Sequence, residues 1–324
     1  MAKEPLPKNL PTAEQWGGTI YKIARYPTED TKIWSAFNPS VGYSKEDGLI
    51  VLIRSSNYFY DTNGHTNVTS GNYIENRIFF GRINDKYELK EPLRKITFVD
   101  GPSQERGCED AKLFRRNGEW RFHAVMRELD HTPYPRIVEY KLDIDKLEAS
   151  FVKKYESYER NRVEKNWMTP MENPSEHFDF VYGPTSTYKD GSVVIQEYNP
   201  PKEARELRGG TNLLEVSDGY LAVGHRLYAE KKVVYNPRTF SHGKTQIRMY
   251  THRFEKYNQQ GRLVELSDEF IFEDFIIEFA AGIVEKDDNY IISYGRHDLS
   301  SKLCVIPKEK FHEKLKPITY GEKK

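Results

Sequence analysis

The sequence has few of the residues that build disulfide frameworks, cysteine metal sites or membrane spans. Cys108 and Cys304 are its only cysteines, too few for a disulfide framework or a cysteine-based zinc site. No stretch approaches the roughly 20 apolar residues of a membrane-spanning helix, and the first residues contain no apolar signal-peptide core. We therefore expect a cytoplasmic protein with no membrane association.

An excess of charge of one sign is also missing. The 49 lysines and arginines equal the 49 aspartates and glutamates, so the formal net charge is zero. This balance argues against a generally basic nucleic-acid-binding protein. The basic stretch from Arg106 to Arg136 is the only support for an enzyme that modifies a nucleobase of a nucleic acid, and we retain this as the least favoured alternative.

The motifs of several common enzyme classes are absent from the chain. It contains no GxGxxG, GxSxG or HExxH sequence. Gly243-Lys-Thr245 resembles the end of a phosphate-binding loop, but Arg238 stands where that loop needs its first glycine. The nine histidines lack the spacing of metal ligands. We expect neither a resident metal ion nor a cofactor.

Aromatic residues, by contrast, are abundant. The 22 tyrosines, 17 phenylalanines and 4 tryptophans make up 13% of the 324 residues, a level typical of β-rich proteins and common in sugar-binding clefts. Few segments have the period of a helix, and no break in composition marks a linker. The sequence predicts an all-β protein made of one main domain.

Pairs of short apolar runs around polar turns predict a series of hairpins. The turns lie near residues 47, 118, 175, 218 and 288, a spacing that suits four-stranded blades with loops of variable length. We predict a single five-bladed β-propeller over residues 34–310 with a central axial active-site cavity, an N-terminal extension (1–33) packed on it and a C-terminal tail (311–324). A β-sandwich with many hairpins is the alternative. Residues 140–158 begin as a strand and continue as a polar helix or as another strand pair.

Polar clusters recur close to the predicted strands, about one in each blade. In a propeller the innermost strands line the axis, so these clusters would converge on one cavity. Each cluster by itself also has an ordinary explanation, such as a turn, a bulge or a core tryptophan. The clusters contain Asn38, Arg54, Glu109, Asp110, Lys165, Asn166, Trp167, Arg208, His225, Tyr250, His252, Glu278 and Asp298.

Five of these motifs, in this order, resemble the five-bladed propeller enzymes of glycoside hydrolase family 130, the β-mannoside phosphorylases and their relatives. The resemblance extends from about Trp34 to Asp298 and rests on Gly107-Cys-Glu-Asp110, Glu164-Lys-Asn-Trp167, Arg208-Gly-Gly-Thr211, the Tyr-x-His at Tyr250 and His252, and Glu278-Phe-Ala-Ala-Gly282. It implies that Asp110 is the proton donor to the glycosidic oxygen. The implied phosphate ligands are Lys165, Asn166, Arg208, His225, Tyr250 and His252. The expected substrate-binding residues are Asn38, Arg54, Glu109, Trp167, Glu278 and Asp298.

The chain departs from the family pattern directly after Asp110. The family usually continues Glu-Asp-Pro-Arg, whereas Ala111 and Lys112 follow here. Lys112 keeps a positive charge but lacks the planar fork that makes two parallel hydrogen bonds.

The residue types favour phosphate chemistry over hydrolysis. An inverting glycosidase needs two carboxylates, one as acid and one as base for water. A phosphorylase needs the acid and a cationic pocket for the attacking phosphate, which Lys165, Arg208 and the two histidines, with Arg54 as a fifth member, would provide. We predict an inverting, β-mannoside phosphorylase-like enzyme that transfers a glycosyl group to or from phosphate, with inorganic phosphate as co-substrate.

Two alternatives of other classes stay open. The same cationic pocket could hold the diphosphate of a nucleotide-sugar, as in a glycosyltransferase on this fold. A non-catalytic glycan-binding propeller is the other alternative, motivated by the departure at Lys112 and by residues 57–76, which could close over a glycan as a lid. In each case the expected partner is a small carbohydrate or glycan. Propellers of this family often associate, so a homo-oligomer also stays open.

Overall fold

Strands make up most of the computed structural model, and five sheets form its five blades. The structure describes residues 7–26, 34–60, 66–69, 71, 73–102, 106–126, 134–156, 165–172, 174–183, 186–195, 200–236 and 241–321. The predicted all-β class and the five-bladed propeller are confirmed. Within this described part, no helix is long and apolar enough to cross a membrane.

The strands are numbered along the chain, and β1 (Thr19–Ala24) precedes the first blade. Blade 1 consists of β2 (Ser35–Ser44), β3 (Gly48–Ser56), β6 (Asn76–Ile83) and β7 (Arg94–Lys95), and carries a hairpin of β4 (Tyr58–Tyr60) and β5 (Thr66–Val68). Blade 2 consists of β9 (Glu109–Arg116), β10 (Glu119–Met126), β11 (Arg136–Asp143) and β12 (Glu148–Lys154), with β8 (Thr97–Phe98) parallel to β12 at its edge. The segment that begins at residue 140 thus continues from β11 into the strand β12, while residues 157 and 158 lie outside the described residues.

Blades 3 to 5 follow in chain order. Blade 3 consists of β13 (Phe180–Gly183), β14 (Ser186–Lys189) and β15 (Ser192–Ile195), and a bridge from Met168 to Val181 adds an inner segment. Blade 4 consists of β16 (Leu207–Arg208), β17 (Leu214–Val216), the long pair β18 (Gly219–Asn236) and β19 (Ser241–Tyr257), β20 (Leu263–Leu266) and β24 (Lys316–Pro317). Blade 5 consists of β21 (Glu278–Lys286), β22 (Asn289–Arg296), β23 (Ser300–Pro307) and β1. A 3-10 helix (Glu14–Trp16), α1 (Lys202–Arg205) and α2 (Lys308–His312) complete the elements.

The two ends of the chain both take part in blades. Strand β1 pairs antiparallel with β23, with Thr19 opposite Val305, and so forms the outer edge of blade 5. Strand β24 pairs with β20 at the edge of blade 4. Part of each terminal segment thus pairs with a blade, while the predicted limits at residues 34 and 310 stay predictions.

A separate hydrophobic cluster fills each of the five gaps between neighbouring blades. Between blades 2 and 3, for example, Val125 and Ile137 pack with Trp167, Phe180 and Tyr188. The other four gaps hold clusters of aliphatic and aromatic side chains. Large rings bury more apolar area per residue than aliphatic side chains. Many of the aromatic residues therefore pack between the blades.

Candidate active site

Polar residues lie in or next to the innermost chain segment of every blade. Asn38 lies in β2, Asp110 in β9, Asn166 just before the Met168 bridge, Arg208 in β16 and Glu278 in β21. The first four line one cavity of about 340 Å³, together with predicted site residues from adjacent strands. The five predicted turns join these inner segments to the next strand of each blade, which is why the clusters recur at blade spacing.

An unusual backbone conformation turns three of these side chains towards the axis. Asn38, Asp110 and Asn166 have φ angles of 48°, 48° and 63°, in the left-handed region. The pairing register shifts beside Asn38 and beside Asp110, as at a β-bulge. Asparagine and aspartate enter this region more readily than other residues with a Cβ atom. In the sequence these asparagine and aspartate residues predict turns. In the structure they change the direction of an inner segment beside the cavity.

Asp110 is held by two hydrogen bonds to one of its oxygens. Asn38 donates from Nδ2 to Oδ1 at 2.8 Å, and Arg54 donates from Nη1 to the same atom at 2.9 Å. Burial would raise the pKa of Asp110, but the charge of Arg54 and these hydrogen bonds outweigh it and leave the pKa below its ordinary value. In the free site Asp110 is therefore ionised and ready to accept a proton.

Arg54 anchors a group of carboxylates from blades 2 and 5. Besides Asp110, its guanidinium lies 3.7 Å from Glu109 Oε2 and donates from Nε to Asn76 Oδ1 at 2.8 Å. Asp298 Oδ2 accepts a hydrogen bond of 2.7 Å from the Tyr58 hydroxyl. Burial, which outweighs the charge of Arg54, raises the pKa of Asp298 to about 6. Arg54 thus compensates the carboxylates at this side of the cavity.

Blades 3 and 4 present cations to the same cavity. Lys165, Arg208 and Arg248 line it and are exposed. Among the described residues none of the three forms an ion pair with a carboxylate. Asn166 and Tyr250 line the wall beside them. Unpaired cations next to an amide and a phenol suit an anion with several acceptor oxygens.

His225 lines the cavity as a neutral ring. It stacks on Tyr250 with centroids 4.8 Å apart and meets the edge of Phe279 at 5.4 Å. Burial, together with His252 and nearby cations that include Arg208, holds its pKa well below the ordinary value. His225 can thus offer a hydrogen bond to a ligand but not a positive charge.

His252 does not reach the cavity. Its ring is fully buried against Phe270 and Phe272, and Nε2 lies 3.0 Å from the carbonyl oxygen of Glu278. Burial lowers its pKa to about 3. Because burial keeps both rings neutral, the expectation that two histidines add positive charge to a phosphate pocket finds no support. Lysine and arginine carry that charge instead.

Trp167 and Glu278 also lie away from the cavity wall. Trp167 is 4% exposed and packs against Phe180 and Tyr188 in the gap between blades 2 and 3. Glu278 is fully buried, and its carboxylate accepts hydrogen bonds from the backbone N–H groups of residues 272–274 at 2.7 to 3.1 Å. Trp167 is placed as a core residue and Glu278 as an anchor for the loop before β21, so neither position supports the predicted contact with substrate.

Several cavity residues were not among the predicted site residues. Tyr58, Ile74 and Asn76 come from the segment 57–76 that was singled out as a lid, although residues 61–65, 70 and 72 lie outside the described residues. Arg106 directly precedes Gly107 of the motif, and Arg248 lies two residues before Tyr250. Their position next to these motifs was the signal in the sequence that could have identified Arg106 and Arg248 as cavity residues. Glu164 of the Glu164–Trp167 motif lies outside the described residues.

No protein-family model matches the sequence, and no curated protein sequence is significantly similar to it. Within the described ranges no three His, Cys, Asp or Glu side chains are grouped as a metal site would require. Similar structures are known, however. The β-1,2-mannobiose phosphorylase of Listeria innocua superposes with a TM-score of 0.60 at 12% identity, covering 91% of this chain and 99% of the other.

The descriptions of two further structures name other reactions. One, described as showing that the family 130 mannoside phosphorylases contain hydrolases of β-1,2-mannosidic linkages in Candida mannan, gives a TM-score of 0.57 at 13% identity, covering 85% of this chain and 84% of the other. MPT-1, a GDP-Man-dependent mannosyltransferase from Leishmania mexicana, gives 0.54 at 13% identity and covers 89% of both chains. This chain therefore has the five-bladed propeller fold of the family 130 mannoside phosphorylases and related glycosidases.

Proposed function

We propose that the protein is a carbohydrate-active enzyme that transfers a glycosyl group between phosphate and a sugar hydroxyl, with inversion, and with Asp110 as its acid and base. The observation that carries this proposal is the group of cations Lys165, Arg208 and Arg248, which have no carboxylate partner among the described residues and share a cavity with Asp110. The fold is shared with phosphorylases and with a transferase, so both uses of a phosphate-bearing donor are compatible with it.

The reaction is a single displacement at the anomeric carbon. In phosphorolysis a phosphate oxygen forms a bond to that carbon, the glycosidic bond breaks, and the leaving oxygen takes a proton from Asp110. In the reverse direction the acceptor hydroxyl loses its proton to Asp110 as it attacks, and the electron pair of the breaking bond stays on phosphate. Phosphate is itself the nucleophile, so no second carboxylate is needed to activate water. The cations offset its repulsion and orient its oxygens.

The protonation state of Asp110 favours the synthetic direction in the free site. Its pKa lies below the ordinary value because of Arg54 and Asn38, so it starts as a base. For phosphorolysis Asp110 must first gain a proton, and bound phosphate helps because its negative charge raises the pKa of a nearby carboxyl. We expect synthesis from a sugar 1-phosphate to be the easier reaction to detect at neutral pH.

A nucleotide-sugar-dependent glycosyltransferase is the second candidate. Arg248 adds a third exposed cation to the cavity, which suits the larger charge of a diphosphate, and it lies in the long strand pair of blade 4. The mannosyltransferase MPT-1 shares the fold. In this case Asp110 keeps its role as base, and the cations hold a diphosphate instead.

The test is phosphorus NMR of the purified protein. It would be incubated with β-mannosides and phosphate, with mannose 1-phosphate and sugar acceptors, and with GDP-mannose and acceptors. We expect phosphate release from mannose 1-phosphate, and a new sugar 1-phosphate signal in the opposite direction. GDP release with no reaction of mannose 1-phosphate would select the transferase.

Two variants, each with a matched control, assign the roles. Asp110→Asn should abolish turnover, whereas Asp145→Asn in an exposed turn should not. Lys165→Met should raise the KM for phosphate steeply, and Lys90→Met on the surface serves as its control. Saturable sugar binding with no turnover in all three incubations would contradict the enzyme and favour a glycan-binding propeller.

A further inference from the structure

Lys112 is a buried lysine that the proposed reaction does not use. It is 5% exposed, and its Nζ donates a hydrogen bond of 3.0 Å to the carbonyl oxygen of Trp167. Its ammonium also lies 5.9 Å from the ring centroid of Phe279. Within the described ranges it forms no ion pair with a carboxylate. Buried ammonium groups are costly without such a partner, so an unpaired one beside a functional cavity calls for a role.

The hydrogen bond of Lys112 joins the inner strand of blade 2 to the inner segment of blade 3. Trp167 follows Asn166, whose left-handed backbone turns the segment at the cavity. The carbonyl oxygen of Asn166 in turn lies so close to Gly209 that a Cβ atom there would approach it to 2.0 Å. Lys112 thus fixes a segment that carries Lys165 and packs against the neighbour of Arg208.

Lys112 and Asp110 also line one small chamber. It has a volume of about 10 Å³, close to the size needed for one water molecule, and His123 and Asn166 contribute to its wall as well. Because Asp110 lines the main cavity too, a charge on Lys112 acts on Asp110 and on the anion site next to it through a poorly solvated region.

We propose that Lys112 is a positioning residue of the anion site, and that its charge sets the affinity of that site for a phosphate-like dianion. This inference rests on the proposed anion site formed by Lys165, Arg208 and Arg248.

The charge of Lys112 changes in the neutral range. Burial lowers its pKa to about 7, and the charge of Asp110 opposes this shift. His123 and His225, which face it from blades 2 and 4, have lowered pKa values because of burial and so are neutral above pH 6.5. Asp110 is the charged group that acts on it from the wall they share. As pH rises through 7, the site loses one positive charge and the charged hydrogen bond to Trp167 weakens.

Other buried carboxyl groups also titrate in or close to this range. Burial raises the pKa of Asp298 to about 6, that of Glu278 in β21 to about 7 and that of Glu255 in β19 to about 8. Their ionisation also disfavours an anion as pH rises, but a substitution of Lys112 leaves all three in place. The difference in pH dependence between the wild type and Lys112→Arg therefore isolates the charge of Lys112.

The experiment is calorimetric titration with inorganic sulfate, whose charge is constant between pH 6.5 and 9. The wild-type protein should bind sulfate at least about tenfold more weakly at pH 9, because the site has then lost one positive charge that attracts the dianion. Lys112→Met should bind weakly at both pH values. Lys112→Arg, which stays charged, should lose much less affinity than the wild type between pH 6.5 and pH 9. Lys141→Met, at an exposed position of β11 in blade 2, is the matched control.

The possible outcomes separate this inference from the proposed function. Equal sulfate affinity in the wild type at both pH values, or wild-type affinity in Lys112→Met at pH 6.5, would overturn the role of Lys112 alone. If Lys112→Met does not fold, the wild-type titration and Lys112→Arg still decide the question. No sulfate binding in any protein would remove the anion site and this inference with it. If sulfate binding follows the expected differences between the wild type and the variants but no glycosyl transfer is detected, only the proposed reaction is overturned.

Discussion

Replacing Asn38 by glycine should raise the pKa of Asp110 and move the pH profile of the reaction. Asn38 donates one of the two hydrogen bonds to Asp110 Oδ1, at 2.8 Å. Its φ angle is 48°, which glycine adopts without strain, so Asn38→Gly removes the donor and preserves the backbone. A hydrogen bond to a charged group contributes about 1.5–3 kcal/mol. One pKa unit corresponds to about 1.4 kcal/mol, so we expect an upward shift of about one to two units.

The sign of this effect depends on the direction of the reaction. In synthesis from a sugar 1-phosphate Asp110 must be ionised, so the acidic limb of kcat/KM should move about one to two pH units upwards. In phosphorolysis Asp110 must be protonated, and the same variant should gain activity towards higher pH. Both directions would be measured from pH 4 to 9.

Asn117→Gly is the matched control, because Asn117 also has a positive φ of 54° but lies in the exposed turn between β9 and β10. Its profile should coincide with that of the wild type. An unshifted profile in Asn38→Gly, combined with an inactive Asp110→Asn, would refute the reasoning that Asn38 sets the protonation of the acid.

Three further predictions concern stability. Glu255 is buried and its pKa is raised by burial to about 8, so the folded state holds a proton that the unfolded state releases above pH 4.5; thermal stability should fall between pH 5 and 8, and Glu255→Gln should flatten this fall. A parallel decline in both proteins would contradict it. Trp167→Ala should reduce the free energy of unfolding, measured with urea, by about 3–5 kcal/mol because it leaves a cavity between blades 2 and 3. If Trp167 were an exposed residue that stacks on a sugar, the free energy of unfolding would stay unchanged. Arg54→Met should cost about 3–5 kcal/mol at pH 7, since it leaves Asp110 as a buried unpaired charge, and less at pH 3; an equal loss at both pH values would point to packing instead.

The sequence alone was sufficient for the architecture, and it singled out several polar residues that line the cavity. Period-two apolar runs around polar turns are local features, and the five predicted turns join the inner segment of each blade to its next strand. Asn38, Asp110, Lys165, Asn166 and Arg208 could be placed near the axis for the same reason, because each lies in or next to an inner segment.

The tertiary structure decided which polar residues face the cavity and in which state. His225 and His252 lie opposite each other in one register, yet His225 reaches the cavity while His252 packs among phenylalanines. Glu278 begins an inner strand like Asp110, but backbone N–H groups of the preceding loop take its carboxylate. Such outcomes depend on which atoms fold back within hydrogen-bonding distance, and chain spacing does not encode them.

The charge of the site residues shows most clearly what the tertiary structure decides. The sequence predicted a cationic pocket from residue types, and a solvent-exposed histidine or lysine would carry its ordinary charge. Burial removes the charge of His225 and brings the pKa of Lys112 to about 7, whereas Arg54 keeps Asp110 ionised. Pattern fixes the order of the residues along the chain, but desolvation and neighbouring charges exist only after the blades close around the axis.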